Sequence, residues 1–209
     1  MDEGRRVRFD GMNYPVLETF TSIQSEGSRA GILTHFLRLA GCDCNCPFCD
    51  TPMDPFVKVP VDEIVKRLRN LEFVQPTGQR LVITGGEPLV HDLSLLLEAI
   101  KKVGFSVAVE SNGNQIARLA DNRPEILEQI DWLTVSPKRR LPWDILKTYA
   151  DEVKYVVPDH EDLIEWRHKR VYVQPEYNNP DALKRCMYWM SKHPNIRLSV
   201  QTHKFLGLR

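Results

Sequence analysis

Short apolar runs alternate along the chain with longer segments in which apolar residues recur every three or four positions. The short runs are typical of buried strands, and the longer periodic segments are typical of amphipathic helices. Residues 88–103 form the clearest helical segment, because leucines recur on one side of it and Gly104 follows its end. The runs that we predict to be strands are residues 34–40, 81–84, 105–110, 132–135, 153–157 and 171–173.

Helical segments separate these strands along most of the chain. They comprise residues 61–71, 88–103, 124–129, 145–149, 160–168 and, after the sixth strand, 181–192. Such alternation implies parallel strands joined by right-handed crossovers. Eight such units would close a barrel of about 250 residues. The shorter chain therefore predicts an α/β fold, a partial, open parallel β/α barrel of about six units, with a flavodoxin-like open sheet as the alternative.

The organisation of the chain is predicted to be simple. No repeat, low-complexity stretch or linker divides residues 1–209, so we expect one domain. It begins with a segment that precedes the first predicted strand. Residues 196–202 are predicted to add a further strand near the C-terminal end.

Charge and hydropathy exclude several classes of function. Lysine plus arginine and aspartate plus glutamate both number 28, so the net charge is zero. A neutral chain is not expected to wrap nucleic acid electrostatically. No stretch approaches about 18 consecutive apolar residues, and no apolar segment follows the polar N-terminus. The sequence therefore predicts a cytoplasmic protein that binds neither nucleic acid nor membrane.

Four of the five cysteines lie between positions 42 and 49, which is typical of a metal site rather than of a disulfide framework. Cys42, Cys46 and Cys49 have the spacing C-x3-C-x2-C. Three thiolates on one loop can hold three irons of a [4Fe-4S] cluster and leave the fourth open to a small molecule. The alternative is a structural zinc with Cys44 as fourth ligand, although such sites usually join two separated cysteine pairs. We predict the cluster, with Cys44 outside it.

Polar turns follow several of the predicted strands. Gly85, Gly86 and Glu87 end the second strand, residues 110–113 end the third, and residues 136–138 end the fourth. The carboxyl ends of parallel strands meet at one edge of a sheet, where ligands bind. Glycines let the backbone approach a ligand closely, and a carboxylate can accept hydrogen bonds from an ammonium group. These turns and the cysteine loop are therefore predicted to form one site.

The cysteine loop, with Phe48 just before its third cysteine, resembles the signature of the radical S-adenosylmethionine (SAM) superfamily. The glycine–glycine–glutamate turn at residues 85–87 resembles a second motif of that superfamily. The resemblance implies that the amino and carboxylate groups of SAM bind the open iron. It also implies that electron transfer cleaves SAM to a 5′-deoxyadenosyl radical, which removes a hydrogen atom from the substrate. A reductant protein such as flavodoxin or ferredoxin would supply the electron.

Further segments narrow the resemblance to one family. Together they are similar to the 7-carboxy-7-deazaguanine synthase family, and they comprise residues 18–27, 38–42, 49–51, 136–138, 173–175 and 201–204. The resemblance implies conversion of 6-carboxy-5,6,7,8-tetrahydropterin to 7-carboxy-7-deazaguanine with loss of ammonia. Magnesium would assist this step in the biosynthesis of 7-deazaguanine nucleosides such as queuosine. The resemblance also implies a homodimer.

The family motifs imply roles for the residues at matching positions. Thr51 matches a magnesium ligand. The residues expected to face SAM are Phe48, Asp50, Gly86, Glu87, Ser111, Ser136, Pro137, Lys138, Tyr172, Val173, Gln174 and Pro175. The residues expected to face the pterin are Ile23, Gln24, Ser25, Glu26, Arg38, Thr84, His203 and, through its terminal carboxylate, Arg209. Arg38 and His203 suit a carboxylated substrate, although Arg38 could instead form an ordinary ion pair and His203 could lie on the surface of a terminal strand.

Three positions depart from the family pattern. Ser25 stands where the family usually has glycine, Cys44 is extra, and Arg209 stands where proline is common. Two other functions are compatible with the cysteine loop: a glycyl-radical-enzyme activase and a zinc-dependent RNA-binding module. The motifs at residues 18–27 and 201–204 favour the pterin reaction, and the zero net charge disfavours RNA binding.

Overall fold

The computed structural model describes residues 13–47, 49, 51, 54–73 and 78–208. The strands in this part of the chain are β1 Asn13–Ile23, β2 Leu33–Leu39, β3 Val57–Pro60, β4 Arg80–Gly85, β5 Ser106–Ser111, β6 Trp132–Val135, β7 Glu152–Val157, β8 Val171–Pro175 and β9 Ile196–Leu198. The helices are α1 Val61–Arg69, α2 Ser94–Lys102, α3 Ile116–Asn122, α4 Pro124–Glu128, α5 Trp143–Tyr149, α6 Pro180–Lys192 and α7 Thr202–Leu206. None of these helices is long and apolar enough to cross a bilayer.

The strands form one sheet in the order β3-β1-β2-β4-β5-β6-β7-β8-β9. Every neighbouring pair from β2 to β9 is parallel, which confirms the prediction from strand and helix alternation. β1 pairs antiparallel with both β2 and β3. The sequence analysis predicted neither β1 nor β3. β1 was missed because it contains several polar residues and because no helix separates it from β2.

The sheet is curled into an open barrel. Ser28 lies just beyond β1, yet its backbone N–H donates to Glu152 Oε2 on β7 at 2.8 Å. Its hydroxyl lies 3.1 Å from the Tyr172 hydroxyl on β8. Because four strands separate β1 from β7 along the sheet, these contacts require strong curvature. The edge strands β3 and β9 do not pair with each other in the described part of the chain, so the predicted partial barrel is confirmed and a flat flavodoxin-like sheet is excluded.

Alternate residues of the strands face opposite sides of the curled sheet. On the outer face, Leu37, Ile83 and Val109 belong to the main core, which packs against the helices. On the inner face, Phe20, Phe36, Val82 and Ala108 form a smaller apolar cluster. Polar residues lie on the same inner face two positions farther along three strands: Arg38, Thr84 and Glu110. The inner face therefore changes from apolar to polar towards the carboxyl ends of the strands.

Several predicted elements differ from the observed ones. Residues 88–103 do not form one helix, because Asp92 accepts a hydrogen bond from Ser94 N and α2 begins there. Only a short 3-10 turn at Glu161–Leu163 occupies the helix predicted at residues 160–168. α3 was not predicted.

The predicted C-terminal strand, residues 196–202, is also too long. β9 ends at Leu198, and Thr202 is the first residue of α7. Ser199 and Thr202 explain the difference, because their side chains bond residues 24–28 instead of continuing a strand. The chain consequently turns back over the open side of the barrel.

Candidate functional site

A cavity of about 760 Å³ lies at the carboxyl ends of the parallel strands. Its volume is within the range of small-molecule sites, and its position is the one at which α/β sheets bind ligands. It is lined by most of the residues predicted from the sequence. These are Ile23, Gln24, Ser25, Glu26, Arg38, Cys42, Cys46, Cys49, Thr51, Thr84, Gly86, Ser111, Ser136, Lys138, Gln174, Pro175 and His203.

The other predicted residues that the structure describes do not line the cavity. Phe48, Asp50 and Arg209 lie outside the described residues. Val173 is fully buried in the outer core, because strand alternation turns its side chain away from the inner face. The Tyr172 hydroxyl contacts Ser28 instead. Pro137 and Glu87 are buried and are likewise not among the residues that line the cavity.

The cysteine loop is held against the end of β4 by backbone contacts. Gly86 N donates to Leu39 O at 2.9 Å, and Glu87 N donates to Gly41 O at 2.8 Å. A Cβ atom added at Gly86 would lie 2.1 Å from Gly41 O, and one at Gly85 would lie 2.1 Å from Leu39 O. The sequence predicted that these glycines admit a ligand. In the structure Gly85 admits the backbone at the end of β2, and Gly86 admits the backbone at the start of the cysteine loop.

Glu87 is buried behind the cavity wall, at 1% exposure. Its carboxylate accepts hydrogen bonds from Leu89 N at 3.0 Å, Ser111 Oγ at 2.8 Å and Asn112 N at 2.5 Å. Burial raises the pKa of Glu87 to about 7, against these three bonds, which favour the charged form. The carboxylate thus joins the ends of β4 and β5, and its contact with SAM stays a prediction.

The loop after β5 fixes the segment around Cys44. Asn112 Nδ2 donates to Asp43 Oδ1 at 2.7 Å, and Gln115 Nε2 donates to Asp43 Oδ2 at 2.8 Å. Asn114 Nδ2 donates to Cys44 Sγ at 3.3 Å. Cys44 is therefore tied to neighbouring amides in a way that the sequence did not predict.

The described residues do not complete a zinc site. Cys42, Asp43 and Cys44 place ligand atoms within 4.8 Å of one another, but a structural zinc needs four ligands and the Asp43 carboxylate already accepts two amide bonds. Cys42, Cys46 and Cys49 all line the cavity. Three thiols facing one cavity fit a cluster whose fourth iron is open to a small molecule.

The opposite wall of the cavity is built from residues just after β1 and from α7. Ser25 Oγ lies 2.5 Å from His203 Nδ1, and Thr202 Oγ1 donates to Ser25 O at 3.2 Å. Positions 25 and 203 are far apart in sequence, and the sequence did not predict their contact. His203 faces the cavity from a helix rather than from a terminal strand.

Arg38 forms the ion pair that the sequence analysis left as an alternative. Its Nε lies 2.8 Å from Glu18 Oε1, and its guanidinium lies 5.8 Å from the centre of the Phe20 ring. All three side chains line the cavity. The ion pair and a position in the site are therefore compatible.

Two charged residues of the inner face were missed as site residues. Glu110 accepts hydrogen bonds from Gln24 Nε2 at 3.0 Å and from Thr84 Oγ1 at 2.8 Å. Lys154 forms an ion pair with Glu26. Both line the cavity. The sequence did contain a signal for Lys154. It lies within an otherwise largely apolar strand, and a lysine in a buried strand is normally paired with a carboxylate.

We predict that Glu87 makes the protein less stable as the pH rises. Its pKa is about 7 in the folded protein, against an ordinary value of 4.5, so folding favours the protonated form. This contribution is present below pH 4.5 and is lost between pH 4.5 and about pH 7, at a cost of about 3 kcal/mol. The glutamine of Glu87→Gln does not titrate. The unfolding free energy of this variant minus that of wild type is therefore expected to increase by about 3 kcal/mol between pH 4.5 and about pH 7.

Urea unfolding of the iron-free, reduced protein at several pH values measures this difference. Glu98→Gln, on the exposed side of α2, is the matched control for loss of a carboxylate. If the difference in unfolding free energy between Glu87→Gln and wild type does not change with pH, the pKa of Glu87 is not raised by folding and the prediction is wrong.

Comparison with known proteins identifies the family of this chain. Residues 37–138 match the model of the radical SAM superfamily. A 7-carboxy-7-deazaguanine synthase of Synechocystis sp. is 34% identical over 95% of both chains. The enzyme of that name from Prochlorococcus marinus is 33% identical over 93% of this chain and 97% of the relative.

Structural comparison gives the same result. A crystal structure of QueE from Escherichia coli matches with a TM-score of 0.65 and 26% identity, over 90% of this chain and 94% of that one. The relatives match this chain over nearly its whole length, which includes the cysteine loop and the elements that surround the cavity. The chain belongs to the 7-carboxy-7-deazaguanine synthase family of the radical SAM superfamily.

Proposed function

We propose that this protein is a radical SAM lyase that converts 6-carboxy-5,6,7,8-tetrahydropterin to 7-carboxy-7-deazaguanine and releases ammonia. The observation that carries the proposal is the shared cavity. Cys42, Cys46 and Cys49 line it together with Ser25 and His203. A cofactor held by the thiols would therefore lie beside a substrate held by the opposite wall. Family membership supplies the identity of the reaction.

Cys42, Cys46 and Cys49 would hold the [4Fe-4S] cluster. When bound, the cluster and SAM supply the one-electron chemistry that starts the removal of a hydrogen atom from the substrate. The protein contributes a loop that the ends of β4 and β5 hold in place, through the backbone of Gly86 and the carboxylate of Glu87. That support keeps the thiols in a fixed position at the edge of the cavity.

SAM would occupy the side of the cavity next to the cysteine loop. The ends of four strands meet there and offer backbone and polar side-chain groups. Lys138 Nζ donates to Ser136 Oγ at 2.9 Å, and burial lowers the pKa of Lys138. The described residues that we assign to SAM are Gly86, Ser111, Ser136, Lys138, Gln174 and Pro175.

The pterin would bind against the opposite wall. Gln24, Thr84 and Glu110 already bond one another there, so their positions are set before a substrate arrives. The guanidinium of Arg38 and the ring of His203 suit the substrate carboxylate. Ile23, Ser25 and Glu26 complete the residues that we assign to the pterin.

Thr51 is the residue that we assign to magnesium. It lines the same cavity as the cysteines and the residues assigned to the pterin. A hydroxyl is a hard oxygen donor, and magnesium binds through few protein ligands together with substrate oxygens. The ion would therefore join Thr51 to the carboxylated substrate.

Family membership also supports assignments beyond the cavity. We infer that the enzyme acts in the cytoplasm as a homodimer. We also infer that a small reductant protein such as flavodoxin or ferredoxin supplies its electron, and that its product enters queuosine biosynthesis.

We predict that Cys46→Ala loses the cluster and that Cys44→Ala keeps it. Cys46 has the cluster spacing with the two other predicted ligands. Cys44 also lines the cavity, but Asn112 and Asn114 donate to its Sγ. Iron and acid-labile sulfide after anaerobic reconstitution give about four irons per chain for wild type and Cys44→Ala. Equal loss of iron in both variants would show that Cys44 is a ligand, and stoichiometric zinc without iron would overturn the cluster.

Anaerobic turnover tests the whole proposal. The reconstituted protein is incubated with SAM, dithionite, magnesium and 6-carboxy-5,6,7,8-tetrahydropterin, and the products are identified by mass spectrometry. We expect 7-carboxy-7-deazaguanine. Cleavage of SAM to 5′-deoxyadenosine without that product would refute the substrate and leave the radical chemistry standing.

The magnesium assignment predicts a specific defect in Thr51→Ala. Cluster content and SAM binding are expected to stay near wild type, because Thr51 is not assigned to either. The stimulation of turnover by magnesium is expected to fall about tenfold or more. Thr51→Ser keeps the hydroxyl and is the matched control. An unchanged magnesium titration in Thr51→Ala would remove this ligand.

A further inference from the structure

Lys154 is a buried cation that none of the assigned roles uses. It lies on β7 between Val153 and Tyr155, whose side chains are fully buried on the outer face. Its own side chain points to the inner face, where 8% of the residue is exposed. Lysine is almost never buried unless it is paired. Here the ammonium group forms an ion pair with Glu26.

Three carboxylates from different parts of the fold surround this ammonium group. Glu26 follows β1, Glu110 lies on β5, and Glu152 lies two residues before Lys154 on β7. Burial opposes the charged form of Lys154, but these carboxylates raise its pKa above the usual value. Likewise, Lys154 holds the pKa of Glu26 below its usual value although burial acts in the opposite direction. Lys154 is thus the shared counter-ion of the inner face.

The carboxylates that surround Lys154 also bind the segment that crosses the barrel opening, which comprises residues 24–28. Glu110 accepts from Gln24 Nε2 at 3.0 Å. Glu152 accepts from Ser28 N at 2.8 Å. Gly27, which lies between Gln24 and Ser28 in the segment, has φ +64°, and a Cβ atom there would lie 2.2 Å from Glu152 Oε1. The crossing segment therefore lies directly on the group of charges that Lys154 neutralises.

We infer that Lys154 is a positioning residue whose ion pair with Glu26 holds residues 24–28 across the barrel opening and so presents Gln24 and Ser25 to the substrate. The substrate in this statement is the pterin, so that part rests on the proposed function. The crossing segment itself is defined by contacts that need no ligand. Lys154 acts through Glu26, and its effect is expected on pterin binding rather than on the cysteine loop, which is held by residues 86–87 and 112–115 instead.

Lys154→Met keeps most of the side-chain volume and removes the charge. Glu26 would then be a buried carboxylate without its counter-ion, a situation that strongly disfavours the native arrangement. Lys154→Arg retains the charge. Lys147→Met, on the exposed side of α5, is the control for loss of a positive charge alone.

Steady-state kinetics of the anaerobically reconstituted enzyme separates binding from chemistry. For Lys154→Met we expect the KM for the pterin to rise about tenfold or more, with iron content and the KM for SAM within about twofold of wild type. Lys154→Arg is expected to restore most of the loss, and Lys147→Met to behave as wild type. An unchanged pterin KM in Lys154→Met, or an equal rise in the KM for SAM, would overturn the inference.

Hydrogen exchange of the iron-free protein tests the same inference without any substrate. Peptides that cover residues 24–28 are expected to exchange about tenfold faster in Lys154→Met, while peptides from β4 keep their wild-type rates. If wild type makes no product from the pterin, the proposed function fails and this measurement still decides the role of Lys154. Unchanged exchange at residues 24–28 would contradict that role.

Discussion

Side-chain contacts, rather than strand pairing, join the two sides of this open barrel. β3 and β9 form the edges of the sheet, and residues 24–28 cross between its two sides. Their contacts reach β5 through Glu110, β7 through Lys154 and Glu152, and α7 through His203. Because buried polar groups must be satisfied, each contact restricts where the crossing segment can lie. The inner face consequently becomes a polar cavity instead of a packed apolar core.

A second set of contacts fixes the cysteine loop on the other side of this cavity. Gly85 and Gly86 allow the loop backbone to approach β4, and Glu87 connects β4 to the end of β5. Asn112 extends that connection to Asp43, beside the first cysteine. The described residues of the loop form no helix or strand, so their position depends on these neighbours. In the proposed function, the two sets of contacts together would set the separation between a cofactor on the thiols and the substrate.

Much of this arrangement could be predicted from local patterns. Apolar runs identified the parallel strands, and the spacing of Cys42, Cys46 and Cys49 identified the metal loop, because both signals lie within a few consecutive residues. β1 could not be identified in this way, since its polar inner face breaks the apolar run. The roles of Lys154, Glu87 and the Ser25–His203 contact depend on residues far apart in the chain. Those contacts follow from the curvature of the sheet, which no local pattern specifies.

The central claim is that cofactor and substrate occupy one cavity in direct contact. The most direct measurement uses 6-carboxy-5,6,7,8-tetrahydropterin that carries deuterium at carbon 6. If the chain catalyses the proposed reaction and the adenosyl radical takes the hydrogen atom from carbon 6, deuterium is expected in SAM or in 5′-deoxyadenosine after turnover. Formation of product with no deuterium in SAM or in 5′-deoxyadenosine would contradict the account, because the hydrogen at carbon 6 would then leave by a route that the shared cavity does not provide.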